Sequence, residues 1–200
     1  MISELLTAII QNNELHAKWL NTLSYLENCG AKKIARCQHP TKVKEEMLKH
    51  ASEEFRHAYH LKCQIERLPV SPLNDYSLAN ILGGNATLRY LNALDLFTCR
   101  YLTCEIGLSK SELKHAAYLL VTYAIELRAA ELYPLYDELL KNEKSKVRVK
   151  SILLEEEEHL DEMRKELQLL PSGEIFSHKV CLIENKIHHT WIKSVKNSML

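Results

Sequence analysis

Glycine and proline are scarce in this sequence, and β-branched residues are scattered rather than clustered. Only five glycines and five prolines occur among 200 residues. The charged residues lie mostly among the helix formers Glu, Lys and Arg. This composition argues against a β-rich fold and predicts an all-α protein.

An excess of charge of either sign is also absent. The 26 basic and 26 acidic residues cancel, so no overall field draws the protein to a nucleic acid or to an anionic membrane surface. We therefore expect neither a nucleic acid nor a membrane among its partners.

The six cysteines include no CxxC pair, which excludes a zinc knuckle and a rubredoxin-type iron site. The N-terminus lacks a basic region followed by a long apolar one, and no apolar run is long enough to span a membrane. GxGxxG, GxxxxGK[ST] and GxSxG motifs are missing as well. We expect reduced thiols in a soluble cytoplasmic protein without dinucleotide, P-loop or serine-hydrolase chemistry.

The length and the hydrophobic content of 46% suit one domain over residues 1–200. Apolar periodicity and turn signals predict its helical segments. These are about 2–37 with a break near Asn12-Asn13, from Thr41 to about 67, 85–106 between glycines, from Ser109 or Ser111 to about 142 with a kink at Pro134, 147–170, and 174–196.

Two of these helices carry the pattern Glu-x-x-His, as Glu54-Phe55-Arg56-His57 and as Glu156-Glu157-Glu158-His159. Residues three apart share a helix face, so each motif presents a carboxylate and an imidazole to the same point. One such match is weak evidence for a metal site, because Glu is common in helices and the chain has ten histidines.

A further glutamate precedes each motif at a similar distance. Glu27 lies 27 residues before Glu54, and Glu126 lies 30 residues before Glu156. An antiparallel helix hairpin brings residues at this separation level with each other. The sequence therefore predicts two matching halves of one site, whose ligands are Glu27, Glu54, His57, Glu126, Glu156 and His159.

Four carboxylates and two imidazoles favour a pair of iron or manganese ions over a closed zinc site. Without metal, four buried carboxylates would be costly to keep ionised. Glu53 and Glu155 could each reach the outer imidazole nitrogen of the opposite motif, and Arg56 could pair with one of them. His50 and His60 are better explained as surface or core residues than as ligands.

The sequence Glu53-Glu54-Phe55-Arg56-His57 resembles the (D/E)ExRH helix of the ferritin-like di-iron carboxylate superfamily, and the paired halves are similar to its defining pattern. The resemblance covers about residues 15 to 165. It implies a ferritin-like four-helix bundle with a long helical crossover between the second and third bundle helices. The last helix is then an addition at the C-terminus.

The resemblance implies two iron ions, with manganese or a mixed Mn/Fe pair as alternatives. We expect an O₂-activating oxidoreductase that takes a small organic substrate and electrons from an external donor. The alternative is iron or oxidant handling, as in ferroxidases, storage proteins and peroxide detoxification. A homodimer stays open as the assembly, and the sequence assigns no catalytic residue beyond the metal ligands.

Small residues follow two of the predicted ligands by one turn: Gly30 and Ala31 after Glu27, and Ala129 and Ala130 after Glu126. These small residues have two equally weighted interpretations: they line a pocket for O₂ and substrate, or they allow close packing of the helices. Thr122 and Tyr123 are predicted to face the site from the turn before Glu126, with Tyr123 acting as a core aromatic more than as a redox relay.

Overall fold

The structure is a computed structural model that describes residues 2–199, apart from the side chain of Ser111. It confirms the all-α prediction. The described residues form seven helices: α1 Ile2–Ile10, α2 Asn13–Cys37, α3 Glu45–Ile65, α4 Gly84–Cys104, α5 Lys110–Asn142, α6 Lys150–Leu169 and α7 Gly173–Asn197.

Local sequence signals set several helix ends. The Asn12 side chain accepts hydrogen bonds from the backbone N–H groups of Glu14 and Leu15, so it caps α2 and separates it from α1. Ser109 and Glu112 form a reciprocal capping box at the start of α5. That helix continues through Pro134 to Asn142.

Two predicted helix starts are wrong, one by four residues and the other by three. The segment after His39 stays irregular because its ring Nδ1 accepts from the backbone N–H groups of Thr41 and Lys42, and α3 begins only at Glu45. The α6 helix begins at Lys150 rather than at Val147. There, the side chain of Gln64 accepts from the backbone N–H of Arg148 and holds that stretch outside the helix.

Helices α2 and α3 pack along each other, as do α5 and α6, and the two pairs meet through contacts of α2 with α5 and of α3 with α6. Helix α4 lies in the long connection between the pairs and packs on α5 and α7. Four helices therefore surround one interior volume, with α1, α4 and α7 packed around them.

The main hydrophobic core centres on Trp19, which is fully buried and stacks on Trp191 of α7 with ring centroids 5.7 Å apart. Gly83 lies against this stack with a φ of +77°. A Cβ atom there would approach Thr87 Oγ1 to 2.6 Å, so both the turn and the packing require glycine. A second core cluster joins α4 to α5, α6 and α7.

None of the helices within residues 2–199 is both long enough and apolar enough to cross a bilayer.

Candidate metal centre

The six predicted ligand residues lie together between the four central helices. Helix α2 contributes one carboxylate and α5 another, while α3 and α6 each contribute a carboxylate and an imidazole. The side chains of all but Glu27 are buried, and Glu27 is half-buried. The six residues are Glu27, Glu54, His57, Glu126, Glu156 and His159.

The donor atoms of the site fall into two groups, and within each group they lie within 4.8 Å of one another. One group consists of Glu27, Glu54, His57 and Glu156, and the other of His50, Glu54, Glu126 and His159. Glu54 belongs to both groups, which places its carboxylate between them. The chain therefore contains a buried His/Glu cluster able to hold a metal ion.

His50 is the member of the cluster that the sequence argument left out. It is 2% exposed, and its Nε2 lies 3.0 Å from Glu126 Oε1 and 3.4 Å from Glu54 Oε1. A surface position is therefore wrong and a buried position is confirmed, and His50 in addition belongs to a group of side chains that could hold a metal ion. A signal was present, because His50 precedes Glu54 by one helical turn and so shares its face.

Several buried atoms of the cluster have no hydrogen-bond partner among the described residues: Glu54 Oε1, His57 Nδ1, Glu126 Oε2, Glu156 Oε1 and His159 Nδ1. His57 Nδ1 and Glu156 Oε1 lie 3.0 Å apart, yet they are not aligned for a hydrogen bond. Buried polar atoms normally have partners. Cations shared by these atoms would supply them, so the residues present fit a metal centre.

The outer imidazole nitrogens are held as the sequence predicts. His57 Nε2 lies 2.8 Å from Glu155 Oε2, and His159 Nε2 lies 2.8 Å from Glu53 Oε2. Arg56 donates two hydrogen bonds of 2.8 Å to the Glu155 carboxylate. If these carboxylates accept the Nε2 protons, the Nδ1 atoms face inwards with free lone pairs, as metal ligands must.

Tyr133 contacts the cluster from α5, and sequence reasoning missed it. Its buried hydroxyl donates to Glu27 Oε1. Tyr133 follows Glu126 by two helical turns and therefore lies on the same face, a spacing that equally suits a core aromatic. Tyr123 does not take this place, since it packs beside the second core cluster.

Burial and neighbouring charges shift the pKa values of several residues in the cluster. Burial, with the charge of Glu126, raises the pKa of Glu156 to about 7. Burial also raises the pKa of Glu27 well above its ordinary value, and the neighbouring Glu54 and Glu156 add to this effect. Burial alone would lower the pKa of His50, but its contacts with Glu126 and Glu54 raise it to about 10.

A cavity of about 380 Å³ adjoins the cluster. The glutamates Glu27, Glu54, Glu126 and Glu156 contribute to its wall. Gly30, Ala129 and Thr122 also line it, so at these positions the small residues border space. Ala31 and Ala130 are not part of the wall, and Ala31 is fully buried in helix packing.

His60, His188 and the six cysteines lie outside the cluster. His60 Nε2 is bonded to the backbone carbonyl of Arg148. His188 packs against Trp191, and the nearby Glu184 accepts hydrogen bonds from Arg128 and Tyr90. All six cysteines, each within the described residues, are unpaired.

Comparisons of the chain with protein-family models, with curated proteins and with solved structures found no match.

Proposed function

We propose that the chain is a ferritin-like, O₂-activating di-iron oxidoreductase that acts on a small organic substrate. The observation that carries this proposal is the cavity, because its wall includes four carboxylates of the ligand cluster. A site serving only to stabilise the fold has no need of such space. Apolar cavities of a few hundred Å³ with few polar groups are typical of small-molecule sites.

The donor set supports two ions of iron or manganese. Four carboxylates and three imidazoles converge in two groups that share Glu54. Oxygen-rich donors with open positions suit iron and manganese, whereas structural zinc takes four ligands in a closed tetrahedron. The pairing of α2 with α3 and of α5 with α6, joined by a connection that contains α4, agrees with a ferritin-like arrangement.

When bound, iron supplies the one-electron chemistry that lets O₂ react with an organic molecule. The protein fixes the histidine rings through Glu53 and Glu155, and Tyr133 donates a hydrogen bond that orients Glu27. The apolar wall excludes water from the reacting groups. In full reduction of O₂, two electrons come from the substrate and two from an external donor, which the chain does not itself contain.

The test combines metal analysis with oxygen uptake. Protein loaded with ferrous iron under anaerobic conditions is expected to bind about two ions per chain and to consume O₂. His57→Ala should lose metal and oxygen uptake, while His60→Ala should keep both, since His60 lies outside the cluster. Equal losses in the two variants would contradict the proposal.

The same experiment separates an oxygenase from an iron-handling protein. Uptake of O₂ that stops after the bound iron is oxidised agrees with the proposal. Continued uptake with excess ferrous iron, accompanied by a mineral core in a very large assembly, would instead establish storage. A monomer or homodimer in gel filtration would argue against storage.

A further inference from the structure

Aliphatic side chains are the largest group in the cavity wall beyond the carboxylates. Leucine, isoleucine, alanine and valine residues of α2, α4 and α5 make up this group, among them Leu23, Leu26, Ile34, Leu91, Ala117 and Val121. Such a wall gains free energy by burying an apolar ligand. The part of a ligand that lies along these side chains is therefore hydrocarbon.

The other end of the cavity is cationic. Lys33, Arg36 and Lys114 line it, with Asp95 as the acidic residue among them. Asp95 forms an ion pair with Lys33. Arg36 and Lys114 are exposed, and within residues 2–199 neither has an ion-pair partner. This combination attracts an anion and disfavours the entry of ferrous iron by the same route.

The spacing between the two ends follows from the helices. Lys114 lies about 18 Å from Glu126 along α5, and Arg36 lies about 13 Å from Glu27 along α2, at the helical rise of 1.5 Å per residue. An extended chain advances roughly 1.2 Å per bond, as the extended backbone does, so about 12 carbons span the shorter distance and about 16 span the longer one.

We propose that the substrate of this site is an amphipathic anion, with its head group held by Arg36 and Lys114 and its hydrocarbon chain extending to the metal centre. The inference rests on the proposed function, because it names the substrate class of the same site. A carboxylate, a sulfate or a phosphate head would satisfy the two cations equally. The hydrocarbon chain and the negative charge are the features that the cavity selects.

The experiment measures binding by calorimetry under anaerobic conditions, so that no turnover occurs. Dodecanoate, kept below its micellar concentration, is expected to bind once per chain. Dodecyltrimethylammonium, which has the same chain and the opposite charge, is expected to bind at least about tenfold more weakly. Dodecyl sulfate and dodecyl phosphate show whether the type of anion matters.

The decisive variant is Arg36→Gln/Lys114→Gln, with Arg164→Gln/Lys165→Gln as its control. Both remove one arginine and one lysine that are exposed, but Arg164 and Lys165 lie on α6 outside the cavity wall. The first should weaken dodecanoate binding about tenfold, and the second should leave it unchanged.

The inference is overturned if the two double variants bind dodecanoate alike, or if the cationic amphiphile binds as tightly as the anion. If the head group bound the metal ions instead, removal of the Arg36 and Lys114 charges would leave the dodecanoate affinity unchanged. That result would also contradict the inference. The binding assay can be run on protein without iron. Failure of the metal and oxygen experiments would therefore remove the proposed function without deciding the ligand class.

Discussion

Ala129→Leu distinguishes a ligand cavity from tight helix packing. Ala129 lines the 380 Å³ cavity, whereas its neighbour Ala130 does not. The substitution adds three carbon atoms on the cavity side of α5 and leaves every member of the His/Glu cluster in place. Ala130→Leu makes the same chemical change on the same helix and is the matched control.

The two interpretations of Ala129 predict opposite signs. If the new side chain fills the cavity, burial of three carbons at about 0.8 kcal/mol each stabilises the fold by up to roughly 2 kcal/mol. If the space closes in solution, overpacking costs about 1–3 kcal/mol. For a protein of this size, each kcal/mol shifts Tm by about 2–4 °C.

Thermal unfolding, metal content and oxygen uptake by the ferrous protein are measured together on wild type, Ala129→Leu and Ala130→Leu. We expect Ala129→Leu to keep its iron, to keep or raise its Tm, and to consume O₂ more slowly. An Ala129→Leu protein that is destabilised and poor in metal would refute the cavity argument. Unchanged oxygen uptake in a stable, iron-replete variant would also contradict it.

Three further predictions concern the cluster and one buried histidine. His50→Ala should lower the iron content measured by elemental analysis, while His60→Ala should not, because only His50 contacts Glu126 and Glu54. Glu155→Gln should weaken metal binding by about 10–100-fold in a chelator titration, and Glu157→Gln, which is exposed, should have little effect. Burial lowers the pKa of His16 from 6.5 to about 4. As the pH falls, the unfolded chain therefore binds a proton at His16 before the folded protein does. The contribution of His16 to the free energy of unfolding is fully present above pH 6.5 and decreases by up to about 3 kcal/mol towards pH 4. Urea unfolding across this range should show a shallower pH dependence for His16→Gln.

Much of the fold follows from local signals. The break at Asn12 and the capping box at Ser109 depend on side chains that bond to nearby backbone, so the sequence indicates them. The start of α3 also depends on a local contact, but the hydrogen bonds from Thr41 and Lys42 to the His39 ring are not a common helix cap. The start of α6 depends on Gln64, which is distant in the chain. Propensity alone carries no information about that contact.

The candidate site divides in the same way. Glu54, His57, Glu156 and His159 stand at a spacing typical of di-metal helices, and Glu27 and Glu126 follow from hairpin geometry. His50 and Tyr133 share faces with these residues, but the same spacings are common in ordinary cores. Only the packing of α3 and α5 around one volume shows that His50 and Tyr133 belong to the cluster rather than to the ordinary core.

The cavity is the feature least accessible to sequence reasoning. Its wall combines residues of the six helices α2 to α7, and the position of α4 depends on the long connection that precedes it. Of the four small residues considered, Gly30 and Ala129 line the space and Ala31 and Ala130 do not. Neighbouring residues on a helix point in directions about 100° apart, so this distinction requires the rotation of each helix.

Anomalous X-ray scattering at the iron absorption edge, from crystals of the ferrous-loaded protein, would locate the metal ions themselves. We expect two iron peaks inside the cluster, roughly 3.5 to 4 Å apart. One should lie beside His50, Glu126 and His159, the other beside Glu27, His57 and Glu156, and both should contact Glu54. A single peak, or iron bound only at other histidines of the chain, would contradict the assignment of a two-metal centre.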